Sequence, residues 1–136
     1  MVRLIMGEKG TGKTKKLIEM INATAREDAG SVVCIEAKTA MTFDIHYHVR
    51  LISADEYRID SYEALRGFLC GLYAGNYDIS HIFIDNLFKL VHGECNQEAE
   101  NFLNELEHFS ATSGVKFTIS VSGDPALATD GMQKFL

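Results

Sequence analysis

The chain predicts an α/β fold, a three-layer αβα arrangement on a short, mainly parallel sheet. Three observations lead there. Short apolar runs alternate with helical patterns along the chain, which is how a parallel sheet covered by helices reads. The first run, Val2, Leu4, Ile5 and Met6, leads at once into a glycine-rich turn over Gly7–Thr14, and a helical pattern follows it. At 136 residues the chain is the size of a single domain, 1–136, that buries an ordinary core without staples.

The elements follow in order. A first helix over about Gly12–Asp28 puts Leu17, Ile18, Ile21 and Ala25 on one face and stops near Gly30, read as a C-terminal glycine. Ser31–Glu36 is a short buried strand, and His48–Ser53 a second candidate with weaker alternation around Arg50. Asp60 with Glu63 three residues on has the form of a capping box, and the stripe Tyr62, Leu65, Phe68, Leu69, Leu72 continues to Gly75. His81–Asp85 is the next strand. Asn96 caps a helix with Ala99, Phe102, Leu103, Leu106 and Phe109 inward and Glu98, Glu100, Glu105 and Glu107 outward. Lys116–Val121 is the last strand, and Asp124-Pro125 opens a short terminal helix.

Gly7-Glu8-Lys9-Gly10-Thr11-Gly12-Lys13-Thr14 is a complete G-x-x-x-x-G-K-[ST] sequence, the Walker A pattern. A chain that turns from strand to helix around an anion needs glycines, because a Cβ would intrude where successive N–H groups must point inward. The helix then adds the positive end of its dipole, Lys13 a mobile cation for β- and γ-phosphates, and Thr14 a hydroxyl for Mg²⁺. Asp85 ends an apolar strand, where a carboxylate is costly unless it meets a cleft or a cation, so it reads as the metal-side Walker B carboxylate. Glu36 ends another buried strand, and is read either as a general base orienting water or as a cap of the following turn.

Composition narrows the classes. Hydrophobic content of 46% with 24% charged residues fits a soluble globular protein, and no apolar stretch reaches membrane-spanning length. The net charge of −6 comes without a basic run, so there is no clear nucleic-acid patch. Cys34, Cys70 and Cys95 are odd in number and widely spaced, which suits reduced thiols; with a strand beginning where a leader would stand, a cytoplasmic protein is expected. His46, His48, His81, His92 and His108 lack metal-ligand spacing and read as surface or packing residues.

Taken together, the glycine-rich loop, the strand ending in Glu36, the strand Ile82-Phe83-Ile84-Asp85-Asn86-Leu87 and the strand Phe117–Ser122 resemble a minimal RecA/KaiC-type P-loop NTPase core. The resemblance implies a Mg²⁺-dependent ATP-binding protein with Glu36 as catalytic base, Asp85 on the metal side, and Ser120 or Ser122 as a γ-phosphate sensor on the final strand. It also implies the sheet order 2–6, 116–122, 81–85, 31–36, 48–53. Where many P-loop ATPases carry a glutamate after the metal-side aspartate, this chain has Asn86, which either shifts the base to Glu36 or implies feeble hydrolysis. Arg50, Arg58 and Arg66 are read as solvated, and none is an evident finger reaching across a subunit interface.

Three functions are therefore expected in order: a RecA-like ATPase, slow or stimulated by a partner; a nucleotide-binding switch or scaffold that hydrolyses little; and a small-molecule or nucleotide kinase, last for want of an Arg-bearing lid. ATP is favoured over GTP because no Asn-Lys-x-Asp run is present. Thr39–Tyr47 and Lys89–Asn96 are the expected surfaces for an unknown protein partner. The edge beside the phosphate-loop strand should be covered by the terminal segment containing Leu127, Met132, Phe135 and Leu136, with a homodimer as an addition.

Overall fold

Apolar side chains at alternate strand positions on both faces demand helices on both faces, and the chain supplies them. A computed structural model describes residues 1–8, 10–38 and 44–136. Lys9 and residues 39–43, and with them part of the expected phosphate loop and partner surface, lie outside the described residues. Five strands, β1 (Val2–Gly7), β2 (Ser31–Glu36), β3 (Arg50–Ser53), β4 (Ile79–Ile84) and β5 (Lys116–Ser122), form one sheet in the order β1-β5-β4-β2-β3. Every pairing is parallel, and the order is the one expected from the sequence.

One face is covered by α1 (Lys13–Glu27), whose Leu17 and Ile21 pack with Ile5, Val32, Cys34 and Phe83. The other carries α2 (Tyr62–Gly75), α3 (Leu87–Val91), α4 (Gln97–Ser113) and α5 (Asp130–Gln133), packed on Leu4, Val33, Ile35, Ile82, Ile84 and Ile119. The alternation of Val33 and Ile35 with Val32 and Cys34 separates the two cores, which makes the architecture three-layered. Among the described residues no helix is long and apolar enough to cross a membrane.

Several local expectations shift. Gly30 does not end α1 in a left-handed cap; the helix closes at Asp28, whose N–H donates to Thr24 O at 2.8 Å. Gly30 is needed instead because a Cβ there would stand 2.6 Å from Asp78 O and 2.7 Å from Ser80 Cβ. The cap of α2 is Ser61 rather than Asp60, its Oγ accepting from Ala64 N at 3.0 Å. β3 starts at Arg50, because Val49 N and His48 N are taken by His46 O and Nδ1 in a preceding turn. Asn96 caps α4 as expected, accepting from Ala99 N at 3.0 Å. Asp124-Pro125 opens a 3-10 turn over Pro125–Leu127, capped by Asp124 Oδ1 accepting from Ala126 N, and α5 follows separately.

The outer edge of β1 is covered from within the chain at Val2 and Leu4. Val2 N donates to Glu107 Oε2 at 3.1 Å and Leu4 N to Phe135 O at 2.7 Å. Met132 and Phe135 are buried in the α4-side core, whereas Leu127 and Leu136 remain 68% and 51% exposed. The terminal segment covers the edge through half of the four residues expected to do so.

His81 packs rather than facing solvent. Its Nε2 lies 2.8 Å from Thr118 Oγ1, its ring stacks on Phe83 at 4.2 Å, and burial pulls its pKa down to about 4; Asp28 opposes that shift, while Lys116 and the N-terminus add to it. The unfolded imidazole takes its proton near pH 6.5, so between pH 6.5 and 4 the unfolded state binds more protons. Stability from this site is complete above pH 6.5 and falls as the pH drops towards 4, by up to about 3 kcal/mol. In urea titrations at pH 7 and pH 4.5, His81→Gln should lose less stability between the two than the parent. Equal losses would exclude His81 as the source.

Candidate functional site

β1 ends at Gly7 and α1 begins at Lys13, and the turn between them depends on backbone freedom. Gly10 and Gly12 have φ of +90° and +79°, in the left-handed region that glycine tolerates. At Gly7 a Cβ would stand 2.7 Å from Thr11 Oγ1, and Thr11 closes the turn by donating from N and Oγ1 to Glu8 O at 3.2 and 2.7 Å. Gly12 occupies the N-cap position of α1 without a side-chain cap, and the first turn holds no acidic residue. The uncapped first-turn N–H groups, at the positive end of a 15-residue helix, suit an anion.

β5 lies between β1 and β4, which brings three chain segments to one cleft at the carboxyl ends of the strands. Lys13 Nζ donates to Ser122 Oγ at 3.0 Å. Two residues earlier on the same strand, Ser120 Oγ donates to Asp85 Oδ1 at 3.0 Å and accepts from Asn86 N at 2.8 Å. The cleft, about 570 Å³, is lined by Gly10, Gly12, Lys13, Thr14, Lys15, Asp85, Asn86, Lys89 and Ser122. Burial pushes the half-buried Asp85 carboxyl above its ordinary range, against the Ser120 hydrogen bond and the charges of Lys13 and Lys89. A cation beside it would offset that burial.

The expected site residues divide accordingly. Gly10, Gly12, Lys13, Thr14, Asp85 and Ser122 line the cleft, Gly7, Glu8 and Thr11 shape the turn, and Lys9 lies outside the described residues. Ser120 is fully buried and positions Asp85 and Asn86, so of the two serines Ser122 is the one facing the cleft. Glu36 sits beside Asp85: Ile35 pairs with Ile84, and Asp85 N donates to Ile35 O at 2.9 Å. At 2% exposure, however, Glu36 is off the described wall of the cleft. The two carboxylates flank Cys34, whose thiol is pushed up chiefly by burial and further by their charges.

The sequence places Lys89 in a partner-facing loop rather than in the cleft, and gives no role to Lys15. Lys89 reaches the cleft because α3 follows Asp85-Asn86 directly, with Asn86 in a left-handed conformation at φ +56°. Leu87, Leu90 and Val91, all buried and spaced as one helical face, are the signal for this helix inside what read as a loop. Of the other expected partner surface, Asp44 and His46 are held to α1 by Asn22, through Nδ2 to Asp44 O at 2.8 Å and Oδ1 from His46 N at 2.7 Å.

The fold is thus a three-layer αβα with an all-parallel sheet, in keeping with the RecA-like core that the sequence resembles. Among solved structures, the chain is similar to flagellar accessory protein FlaH from Methanocaldococcus jannaschii, with a TM-score of 0.60 and 13% identity over 98% of this chain and 65% of that one. It therefore spans about 65% of the length of that neighbour, and the likeness is one of fold. No protein-family model and no curated protein matches the sequence.

Proposed function

We propose that the chain binds a Mg²⁺-complexed nucleoside triphosphate, ATP in the first place, and acts as a RecA-like NTPase that hydrolyses it slowly or on stimulation by a partner. The observation that carries the reading is the convergence of the glycine-rich turn, Asp85 and Ser122 on one cleft. In this reading the turn's N–H groups hold the phosphates, and Lys13 exchanges Ser122 for β- and γ-oxygens. Thr14 and Asp85 are the residues that would hold Mg²⁺, which supplies neutralising charge; the cost of burying Asp85 is what fits them to it. Ser122, freed from Lys13, reads the γ-phosphate.

A second reading, a nucleotide switch with little turnover, is favoured by the burial of Glu36 and by Asn86 following Asp85. A kinase ranks behind both, because among the described residues the side-chain cations lining the cleft are Lys13, Lys15 and Lys89, with no arginine. Cytoplasmic placement, consistent with the free thiols of Cys34, Cys70 and Cys95, and action through a protein partner or a homodimer belong to the same proposal.

Calorimetric titration with ATP, with and without Mg²⁺, beside a steady-state hydrolysis assay tests the reading. Binding strengthened by Mg²⁺ supports it, and no binding in Mg²⁺ refutes it. Turnover then chooses between NTPase and switch. Glu36→Gln should keep Mg·ATP affinity and lose whatever turnover exists, since an amide fills the space but accepts no proton. Hydrolysis at the parental rate would remove Glu36 as the base. Asp85→Asn should weaken Mg·ATP binding about 10–100-fold and leave metal-free binding nearly unchanged, the pattern of a disturbed metal site.

A further inference from the structure

β1 is an edge strand whose outward N–H groups are used at two positions and open at a third. Met1 O and Gly7 O accept from Phe117 N and Gly123 N, so the odd-numbered residues turn their main-chain groups towards β5. The even-numbered Val2, Leu4 and Met6 turn theirs away from the sheet. Val2 N–H and Leu4 N–H are taken by Glu107 and Phe135. The N–H and C=O of Met6 come next, and no group among the described residues pairs with them. Beside them opens a second cavity of about 520 Å³, lined by Ile5, Met6, Asp124 and Pro125 and reaching Gly12 and Lys13.

Gly12 and Lys13 also wall the cleft that holds Asp85, so the two cavities meet across the first turn of α1. We propose that the second cavity is a nucleoside subsite, in which the edge of a base bonds to the outward main chain of Met6. This rests on the phosphate reading above and extends it. With Asp85, Lys89 and Ser122 on the metal side, a phosphate chain lying over Gly12 and Lys13 leaves the cleft towards β1. The cavity falls within the range of about 300–1,000 Å³ typical of small-molecule sites. It pairs apolar surface from Ile5 and Pro125 for the faces of a base with a main-chain donor and acceptor for its edge. Asp124 lends Oδ1 to Ala126 N, which leaves Oδ2 for a ribose hydroxyl. A third cavity also adjoins the cleft, but its described lining is Asp44 and four residues of α1, Thr14, Lys15, Ile18 and Glu19, with no strand residue among them.

Amide hydrogen exchange of the full chain, read residue by residue in Mg·ATP and in Mg²⁺ with inorganic tripolyphosphate, tests the subsite. Both ligands should slow exchange at Gly12–Thr14, and ATP alone should slow Met6, at least tenfold. Met6→Pro removes the outward N–H without breaking a ladder bond to β5, and should weaken ATP about tenfold while leaving tripolyphosphate affinity unchanged. If ATP protects Gly12–Thr14 but leaves Met6 as fast as tripolyphosphate does, or protects Ile18 and Glu19 instead, the subsite is wrong and the phosphate reading stands. Failure of both ligands at Gly12–Thr14 refutes the phosphate reading and the subsite with it.

Discussion

Replacing Lys13 by alanine should cost about 2–3 kcal/mol of triphosphate affinity, a loss of about 30–150-fold, with the fold unchanged. The ammonium reaches out of the first turn of α1 to a single neutral partner, Ser122 Oγ, so its removal disturbs no core contact and no ion pair among the described residues. What it removes is a charge-assisted contact to the phosphates, the strongest class of polar contact the cleft offers. Calorimetry on a variant with the parental denaturation midpoint gives the answer. Unchanged affinity in such a variant would show that the Gly7–Thr14 turn does not bind through Lys13.

Removing residues 125–136 should destabilise the protein by more than about 5 kcal/mol, a large part of the stability of a domain this size. Two effects add. Met132 and Phe135 leave the core that α4 and β1 share, and truncations of buried Met and Phe side chains cost about 2–5 and 3–5 kcal/mol each. Leu4 N–H also loses Phe135 O, which uncovers the edge of β1 for pairing with another chain. Aggregation on size-exclusion chromatography is expected. Phe135→Ala, which keeps the backbone cover, should lower the urea midpoint without aggregation. A truncated chain that stays monomeric and equally stable would mean that the terminal segment contributes nothing to the edge.

The strands were legible because they are short apolar runs separated by strong helical stripes, and their order, with β5 between the strands carrying Gly7 and Asp85, followed from the resemblance. The turn was legible for a different reason: Gly7, Gly10 and Gly12 stand where a Cβ or a negative φ would not fit. What the sequence hid depends on contacts between distant segments. Gly30 looks like a helix stop until Asp78 and Ser80 are seen against it. Lys89 looks like a loop residue until the left-handed Asn86 turns α3 over the cleft. Ser120 and Ser122 differ by two positions on one strand face, and only the neighbours, Asp85 for one and Lys13 for the other, separate a positioning serine from one facing the cleft. The burial of Glu36 is likewise set by where β2 ends relative to β3 and β4, which no local pattern records.

The most direct test is to map Mg·ATP onto the chain by backbone amide chemical shifts under titration. Binding at the glycine-rich turn predicts saturable shifts largest at Gly10, Gly12, Lys13 and Thr14, with Asp85, Asn86 and Ser122 following at the same midpoint and the groove between α2 and α4 unmoved. Saturable shifts centred elsewhere, or a turn that stays silent at millimolar Mg·ATP, would contradict it.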